Sequence, residues 1–107
     1  MSESLEALMA APMSFTLSHE PSRQRYVLSD KAGPVALASY AERNGRIHIH
    51  HTEVDRARRG QGIGGELVRQ VLDRLRAEGR TVVPACPFVR NYIAAHPEYR
   101  DLQQELT

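Results

Sequence analysis

Residues 54–65 read V-D-R-A-R-R-G-Q-G-I-G-G, a basic, glycine-rich stretch that runs directly into a helical pattern. Glycines let the backbone turn so that successive N–H groups converge on one point. The first turn of the following helix adds unpaired donors and the positive end of a dipole. Arg56, Arg58 and Arg59 come just before the glycines, where each guanidinium group can bind two phosphate oxygens at once. The stretch therefore predicts a loop that binds a phosphate-bearing ligand.

The helix after this loop is marked by one apolar stripe. The stripe consists of Ile63, Leu67, Val68, Val71, Leu72 and Leu75. These residues fall on one side of a helix, with charged residues on the other side, which is typical of a helix that packs on a core. Gly79 follows the stripe and predicts where the helix ends.

Two other phosphate-binding motifs compete for the same loop. A P-loop requires a lysine after its last glycine, whereas a glutamate stands there in this sequence. Gly60, Gly62 and Gly65 have the spacing of a dinucleotide-binding fingerprint. That motif begins at the end of a strand, and an acidic residue closes the next strand, which here ends in A-C at 85–86. Neither motif fits well.

Composition limits the classes of protein that the chain can belong to. With 107 residues, 41% hydrophobic and 25% charged, it is typical of one globular domain, which we expect at 13–107 after a flexible lead-in at 1–12. The lead-in carries two glutamates and does not resemble an export signal. A net charge of +1 gives no general attraction to nucleic acid or membrane, so neither partner is expected. Cys86, the single cysteine, excludes an internal disulfide and fits a cytoplasmic location.

Strand patterns precede the loop, and a strand and two helices follow it. The predicted strands before the loop are 14–18, 25–29, 35–43 and 46–54. Asn44-Gly45 predicts a tight hairpin between the last two, because both positions of a type I′ turn need positive φ. A fifth strand is expected at 81–85, a second helix at 88–96 and a short terminal helix at 98–106. Since a strand-helix-strand unit pairs its strands in parallel, the order β-β-β-β-α-β-α predicts an α/β fold with a mixed sheet.

The loop and its surroundings resemble the GNAT superfamily of acetyltransferases, and in particular its short, stand-alone members. Arg59, Gly62 and Gly64 fit the R-x-x-G-x-G pattern of the loop that holds the pyrophosphate of acetyl-CoA in that family. The similarity extends over H-T-E-V at 51–54 and V-V-P-A-C-P-F-V-R-N-Y-I at 82–93. The resemblance implies a minimal GNAT fold, without the two helices that many members carry after the first strand or their last pair of strands.

The resemblance also implies where acetyl-CoA binds. In the superfamily the fourth and fifth strands splay apart, and the pantetheine arm lies between them. The binding residues implied for this chain are Val54, Arg58, Arg59, Gly60, Gln61, Gly62, Ile63 and Gly64, with Arg90 and Asn91 in the helix after the fifth strand. The missing segments commonly shape the acceptor site of larger relatives, so the amine acceptor stays unassigned. No metal cofactor is expected.

The candidate bases for the acceptor amine lie on the fourth strand. Family members often use a glutamate or a water-linked group there, and histidine exchanges protons near neutral pH. His50, His51 and Glu53 are the candidates, and the alternative is that all are polar residues on a half-exposed strand. Strict alternation predicts His48, His50 and Thr52 on one face, with Ile47, Ile49, His51 and Glu53 on the other. A metal site here would need further ligands from elsewhere.

Cys86 is the remaining catalytic candidate. It lies between the fifth strand and a helix start, where a thiol becomes more nucleophilic, and short family members typically have a Cys-Pro pair here. The alternative is a small buried apolar residue. Tyr92 and Tyr99 are weaker candidates for protonating the thiolate, because Tyr99 lies beyond Pro97 and out of register with the family's tyrosine.

The sequence thus predicts an N-acetyltransferase that moves an acetyl group from acetyl-CoA to an amine. A CoA-binding module without turnover, acting as a sensor or partner-binding domain, remains the alternative, because the chain is short and shows no acceptor site. A nucleotide- or RNA-binding domain is disfavoured, because the basic cluster is local and has no interleaved aromatic residues.

Overall fold

The structure, a computed structural model, describes residues 14–103. Its central element is one five-stranded sheet in which the strands follow chain order. The strands are β1 (Thr16–Glu20), β2 (Arg25–Asp30), β3 (Gly33–Arg43), β4 (Arg46–Val54) and β5 (Thr81–Pro84). Neighbours from β1 to β4 are antiparallel, and β4 pairs with β5 in parallel. The predicted mixed sheet is confirmed.

Helices follow β4 and β5. They are α1 (Ile63–Ala77) and α2 (Pro87–Ala95), with short 3-10 helices at Pro21–Arg23, Arg56–Arg58 and Pro97–Leu102. The second helix therefore starts and ends one residue earlier than predicted, and the terminal segment is a 3-10 helix up to Leu102. The lead-in expected at 1–12 lies outside the described residues, as does 104–107. No helix of the described part is both long and apolar enough to cross a bilayer.

The apolar stripe of α1 forms the centre of the core. Its buried residues are Ile63, Leu67, Val68, Val71, Leu72 and Leu75, the six that the sequence predicts. Gly79 ends the helix with a φ of +67°, which a side chain would disfavour. The N–H of Arg80 closes the end by donating to the carbonyl of Leu75 at 2.8 Å. The predicted helix and its stop are confirmed.

The sheet has two unlike faces. One face packs against α1 and carries large buried side chains such as Tyr26, Leu28 and Ile49, which are 1% exposed or less. Residues of α2 and the last 3-10 helix, including Val89 and Ile93, join the same core. On the opposite face, the side chains of β1 to β4 that lie next to one another across the strands are mostly small, polar or charged. This second face is the open face of the sheet.

A β-bulge in β4 changes which residues share a face. Ser39 of β3 pairs with His51, but the next residue, Tyr40, pairs with Ile49, so His50 is the extra residue. Beyond the bulge the alternation is reversed: Thr52 and Val54 are half-buried, while His51 and Glu53 are exposed. The prediction that His51 and Glu53 share a face with Ile47 and Ile49 is therefore wrong, because strict alternation fails where a strand gains one residue.

Candidate active site

A gap opens between β4 and β5 at the bulge. The parallel pairing ends at Ile49 and Pro84, and the N–H of Cys86 donates to the carbonyl of Ile49 at 2.9 Å. β4 continues to Val54, so residues 50–54 have no β5 partner on that side. Because β5 ends at Pro84, this edge of β4 has no strand beside it, and a ligand can lie along it.

The glycine loop closes one end of the gap. Asp55 begins it by accepting a hydrogen bond from the N–H of Ala57 at 3.2 Å. Gly60 and Gly62 have φ values of +83° and +76°, and Gly62 is the N-cap residue of α1. Since side chains rarely adopt this conformation, the path of the loop depends on both glycines. The first turn of α1 then presents its N–H groups and the positive end of the helix dipole.

Arg58 and Arg59, directly before the glycines, have different surroundings. Arg58 binds the Asp30 carboxylate at 2.7 Å and Gln61 Oε1 at 3.1 Å, which ties the loop to the end of β2. This hydrogen bond from Arg58 is the main reason that the pKa of Asp30 lies below its ordinary value. Arg59 is exposed and has no ion-pair partner within 14–103. Arg59 also lines the pocket beside the loop, which Arg56 does not, so its guanidinium can turn to an anion bound there.

The glycine loop, the gap and the start of α1 line an open pocket of about 520 Å³, which we call the gap pocket. Its lining consists of His51, Thr52, Glu53, Val54, Arg59, Gly60, Gly62, Ile63, Gly64, Gly65 and Phe88. Eight of these are residues that the sequence assigns to catalysis or acetyl-CoA binding, and Thr52, Gly65 and Phe88 are not. His50, Arg58, Gln61, Cys86, Arg90 and Asn91 are assigned by the sequence but do not line the pocket.

Cys86 lies just behind the pocket wall. It is 7% exposed and is the N-cap residue of α2. Its Sγ is 3.6 Å from Oγ1 of Thr52, a lining residue 34 positions earlier in the chain. Thr52 therefore links the thiol of Cys86 to the gap between the strands.

Two titratable side chains meet on the open-face side of the gap. His51 Nε2 is 3.0 Å from Oε2 of Glu53, and the side chains are 53% and 60% exposed. When His51 donates this hydrogen bond to the carboxylate, its other ring nitrogen can accept a proton. His50, on the bulge, is exposed but does not line the pocket. The bulge thus brings His51 and Glu53 together and leaves His50 apart.

Phe88 is the lining residue for which the sequence has the weakest signal. It is 44% exposed and is the only large exposed hydrophobic residue within 14–103. Its ring lies on Gly64, where a built Cβ atom would come within 2.8 Å of the ring. The signal available in the sequence was a large apolar residue off the stripe that buries Val89 and Ile93. Gly64 thus provides the space in which the Phe88 ring rests.

The remaining candidates point elsewhere. Arg90 contacts the carbonyl of Ala85 at 3.5 Å and lines a separate cavity of about 410 Å³. Asn91 is exposed. Tyr99 donates a hydrogen bond to Asp73 of α1 at 2.6 Å, and burial together with this carboxylate raises the pKa of Tyr99 to about 12. None of these side chains faces the gap pocket.

No group of three or more His, Cys, Asp or Glu side chains within residues 14–103 is arranged to hold a metal ion.

A family model for the GCN5-related N-acetyltransferases matches residues 25–102, more than half of the chain. The chain belongs to this family. The match covers β2 to the last 3-10 helix and so includes the whole gap pocket. A search of curated proteins found no significant match.

Solved structures with the same fold include other N-acetyltransferases. A GCN5-like protein from Staphylococcus aureus, solved in solution by NMR, is 22% identical with a TM-score of 0.64, over 86% of this chain and 90% of that one. The ribosomal-protein-S18-alanine N-acetyltransferase from Escherichia coli is 19% identical with a TM-score of 0.51, over 95% of this chain and 72% of that one. Family and fold together identify the protein as a GNAT-family acetyltransferase with an α/β fold.

Proposed function

We propose that the gap pocket binds acetyl-CoA and that the protein transfers the acetyl group to an amine. The observation that carries this proposal is the composition of one pocket: a glycine loop with a helix N-terminus at one end and the His51–Glu53 pair at the other. The first end suits a diphosphate, and the second suits an amine that must lose a proton. A module that only bound CoA would have no use for the second end.

On this proposal the loop residues hold the ligand by its phosphates. The backbone N–H groups of Gly62, Ile63 and Gly64 and the guanidinium of Arg59 supply donors and positive charge. Val54 lines the gap between the strands, next to the loop. Arg58 acts indirectly, because its bonds to Asp30 and Gln61 fix the path of the loop.

His51, oriented by Glu53, is the base that we propose. The carboxylate at 3.0 Å fixes the ring and stabilises the positive charge that the ring gains on accepting a proton. Both side chains are exposed and border the pocket, so an amine in solution can reach them. His50 is not part of this pair.

The chemistry balances as one group transfer. Acetyl-CoA supplies a thioester: its C–S bond breaks as the C–N bond forms, one proton of the acceptor ammonium goes to the His51–Glu53 pair, and a second neutralises the departing thiolate. On this proposal Cys86 relays that second proton: its thiol gives a proton through the Thr52 hydroxyl to the departing thiolate and takes up the second proton of the acceptor nitrogen, which restores the thiol. An acyl-Cys86 intermediate is the competing role for the same thiol.

Turnover with a panel of amines tests the proposal. We expect acetyl-CoA-dependent thiol release that rises with amine concentration well above hydrolysis, and an acetylated amine detectable by mass spectrometry. Thiol release that no amine accelerates would contradict the proposal and favour a binding module. Intact-mass measurement after rapid quenching separates the two roles of Cys86, since only the acyl-enzyme route adds an acetyl group to the protein.

The cytoplasmic location stays a prediction.

A further inference from the structure

A second cavity lies on the open face of the sheet, and we call it the open-face groove. It has a volume of about 260 Å³. Its apolar floor includes Val27, Val35 and Leu37, and its charged rim consists of Glu20, Arg25, Glu53 and Asp55. These residues come from β1 to β4 and the position after β4, and no helical residue of the described part lines the groove.

The groove and the gap pocket meet at Glu53. Val27 of β2 pairs with Leu37 of β3, and Leu37 pairs with Glu53 of β4, so the three side chains form one row across the sheet. Directly paired side chains on one face lie about 5 Å apart. Glu53 lines both cavities. A molecule lying on Val27 and Leu37 therefore has one end beside the His51–Glu53 pair.

The charges of the groove favour a cation at that end. Glu20 binds Arg25 at 2.6 Å, which compensates the only guanidinium of the rim. The carboxylates of Glu53 and Asp55 remain, and Glu53 has only the His51 ring as its side-chain partner within 14–103. An ammonium group is complementary to this rim, whereas a carboxylate beside Glu53 would be repelled.

We infer that the open-face groove binds the acceptor, and that the acceptor is a small primary amine with an apolar tail and no carboxylate. The inference rests on the proposed function. The apolar tail would lie on Val27 and Leu37, and the ammonium would lie at Glu53, where His51 can take its proton. The volume is below the range of about 300–1,000 Å³ that holds drug-sized ligands, which fits a small amine.

The first test compares two acceptors of equal length, hexylamine and 6-aminohexanoate, with the wild-type protein and saturating acetyl-CoA. We expect hexylamine to give a kcat/KM about tenfold higher or more, because 6-aminohexanoate would place an anionic end on the apolar floor of a groove whose rim carries three carboxylates and one guanidinium. Equal kcat/KM for the two amines, or a preference for 6-aminohexanoate, would overturn the inference.

The second test places a charge in the floor of the groove. Leu37→Lys should raise the KM for hexylamine about tenfold while leaving the Kd for acetyl-CoA unchanged, since Leu37 does not line the gap pocket. Ala41→Lys is the matched control: Ala41 is half-buried on the same face of β3 but lies outside the groove. The same KM in both variants would contradict the inference. If Leu37→Lys does not fold, the wild-type comparison of the two acceptors decides.

Failure of this inference is distinguishable from failure of the proposed function. A protein that binds acetyl-CoA and acetylates other amines, but not hexylamine, is an acetyltransferase with a different acceptor site. A protein that acetylates no amine at all refutes the proposed function itself.

Discussion

The two ends of the gap pocket are built in different ways. The loop end is formed by the backbone of one short stretch, where Gly60 and Gly62 take left-handed conformations and α1 begins. The opposite end is formed by side chains from distant parts of the chain, and its lining residue Thr52 is backed by Cys86, 34 residues later. A backbone site depends on local conformation, whereas the side-chain site depends on strand register and on where β5 stops. Substitutions should therefore affect the two ends differently, with ligand affinity sensitive at the first and the rate of transfer at the second.

The largest effect is expected at the side-chain end. His51→Ala should lower kcat by roughly 100- to 10,000-fold, because a positioned base contributes about that much, while the Kd for acetyl-CoA stays within about twofold. His48→Ala is the control, since His48 lies on the same face of β4 outside the gap pocket. Steady-state kinetics with calorimetric Kd values would check this. A His51→Ala protein with wild-type kcat would remove His51 from the mechanism.

A smaller effect, on affinity, is expected at the loop end. Arg59→Ala should weaken acetyl-CoA binding roughly 10- to 150-fold, the equivalent of one hydrogen bond between charged groups at about 1.5–3 kcal/mol. Arg56→Ala serves for comparison, because Arg56 is exposed and does not line the pocket. Titration calorimetry at two salt concentrations measures both. Identical affinities in the two variants would mean that the loop does not bind the phosphates as proposed.

The contact between the two ends can be tested at two neighbouring glycines. Gly64→Ala places a methyl group within 2.8 Å of the Phe88 ring, whereas Gly65→Ala meets only the Tyr92 ring at 3.7 Å. Phe88 is exposed and its ring can move, so the clash is only partly relieved. We expect Gly64→Ala to weaken acetyl-CoA binding by about 1 kcal/mol, which is roughly fivefold in Kd. Gly65→Ala should change Kd less and stabilise α1.

A double mutant identifies the cause of that effect. In a Phe88→Ala background, Gly64→Ala should have little further influence on Kd, since the clash is gone. Fully additive effects would show that Gly64 acts through the loop backbone and not through Phe88.

The smallest effect is expected at the support of the loop. Arg58 lowers the pKa of Asp30, so the carboxylate stabilises the folded protein above its ordinary pKa of 3.8, and the contribution is lost as the pH falls through the lowered value. Asp30→Asn should thus lower the unfolding midpoint slightly at neutral pH, and the difference from wild type should shrink in strong acid. Thermal unfolding from pH 7 to pH 2 would reveal it. A difference that is constant with pH would rule out this ion pair as the cause.

The two ends of the gap pocket also differ in how much of each the sequence predicts. The strand order, the stripe of α1, its stop at Gly79 and the Asn44-Gly45 turn follow from local patterns, and Asn44 and Gly45 do have positive φ. So does the loop, whose glycines need a special backbone wherever the fold places them. The face of the sheet on which His51 and Glu53 lie could not be predicted from the local pattern, because a bulge at His50 leaves no mark in an alternating sequence.

The residues missed at the side-chain end share one physical cause. Thr52 and Phe88 join the site only because β5 stops at Pro84 while β4 continues, and because the ring of Phe88 fits over Gly64. Arg90 was predicted one turn into α2, but the direction of that helix carries it to another cavity. Long-range geometry of this kind depends on tertiary packing and is not present in residue spacing.

The most direct test of the central claim is thermal unfolding of the wild-type protein with acetyl-CoA, CoA or NAD, each at a millimolar concentration. A ligand at 100 times its Kd stabilises the folded state by about 2.7 kcal/mol, which raises the midpoint of a domain of this size by about ten degrees. We expect this shift with acetyl-CoA and CoA and not with NAD, although all three carry a diphosphate. No shift with either CoA compound, or an equal shift with NAD, would contradict the assignment of the gap pocket as the acetyl-CoA site.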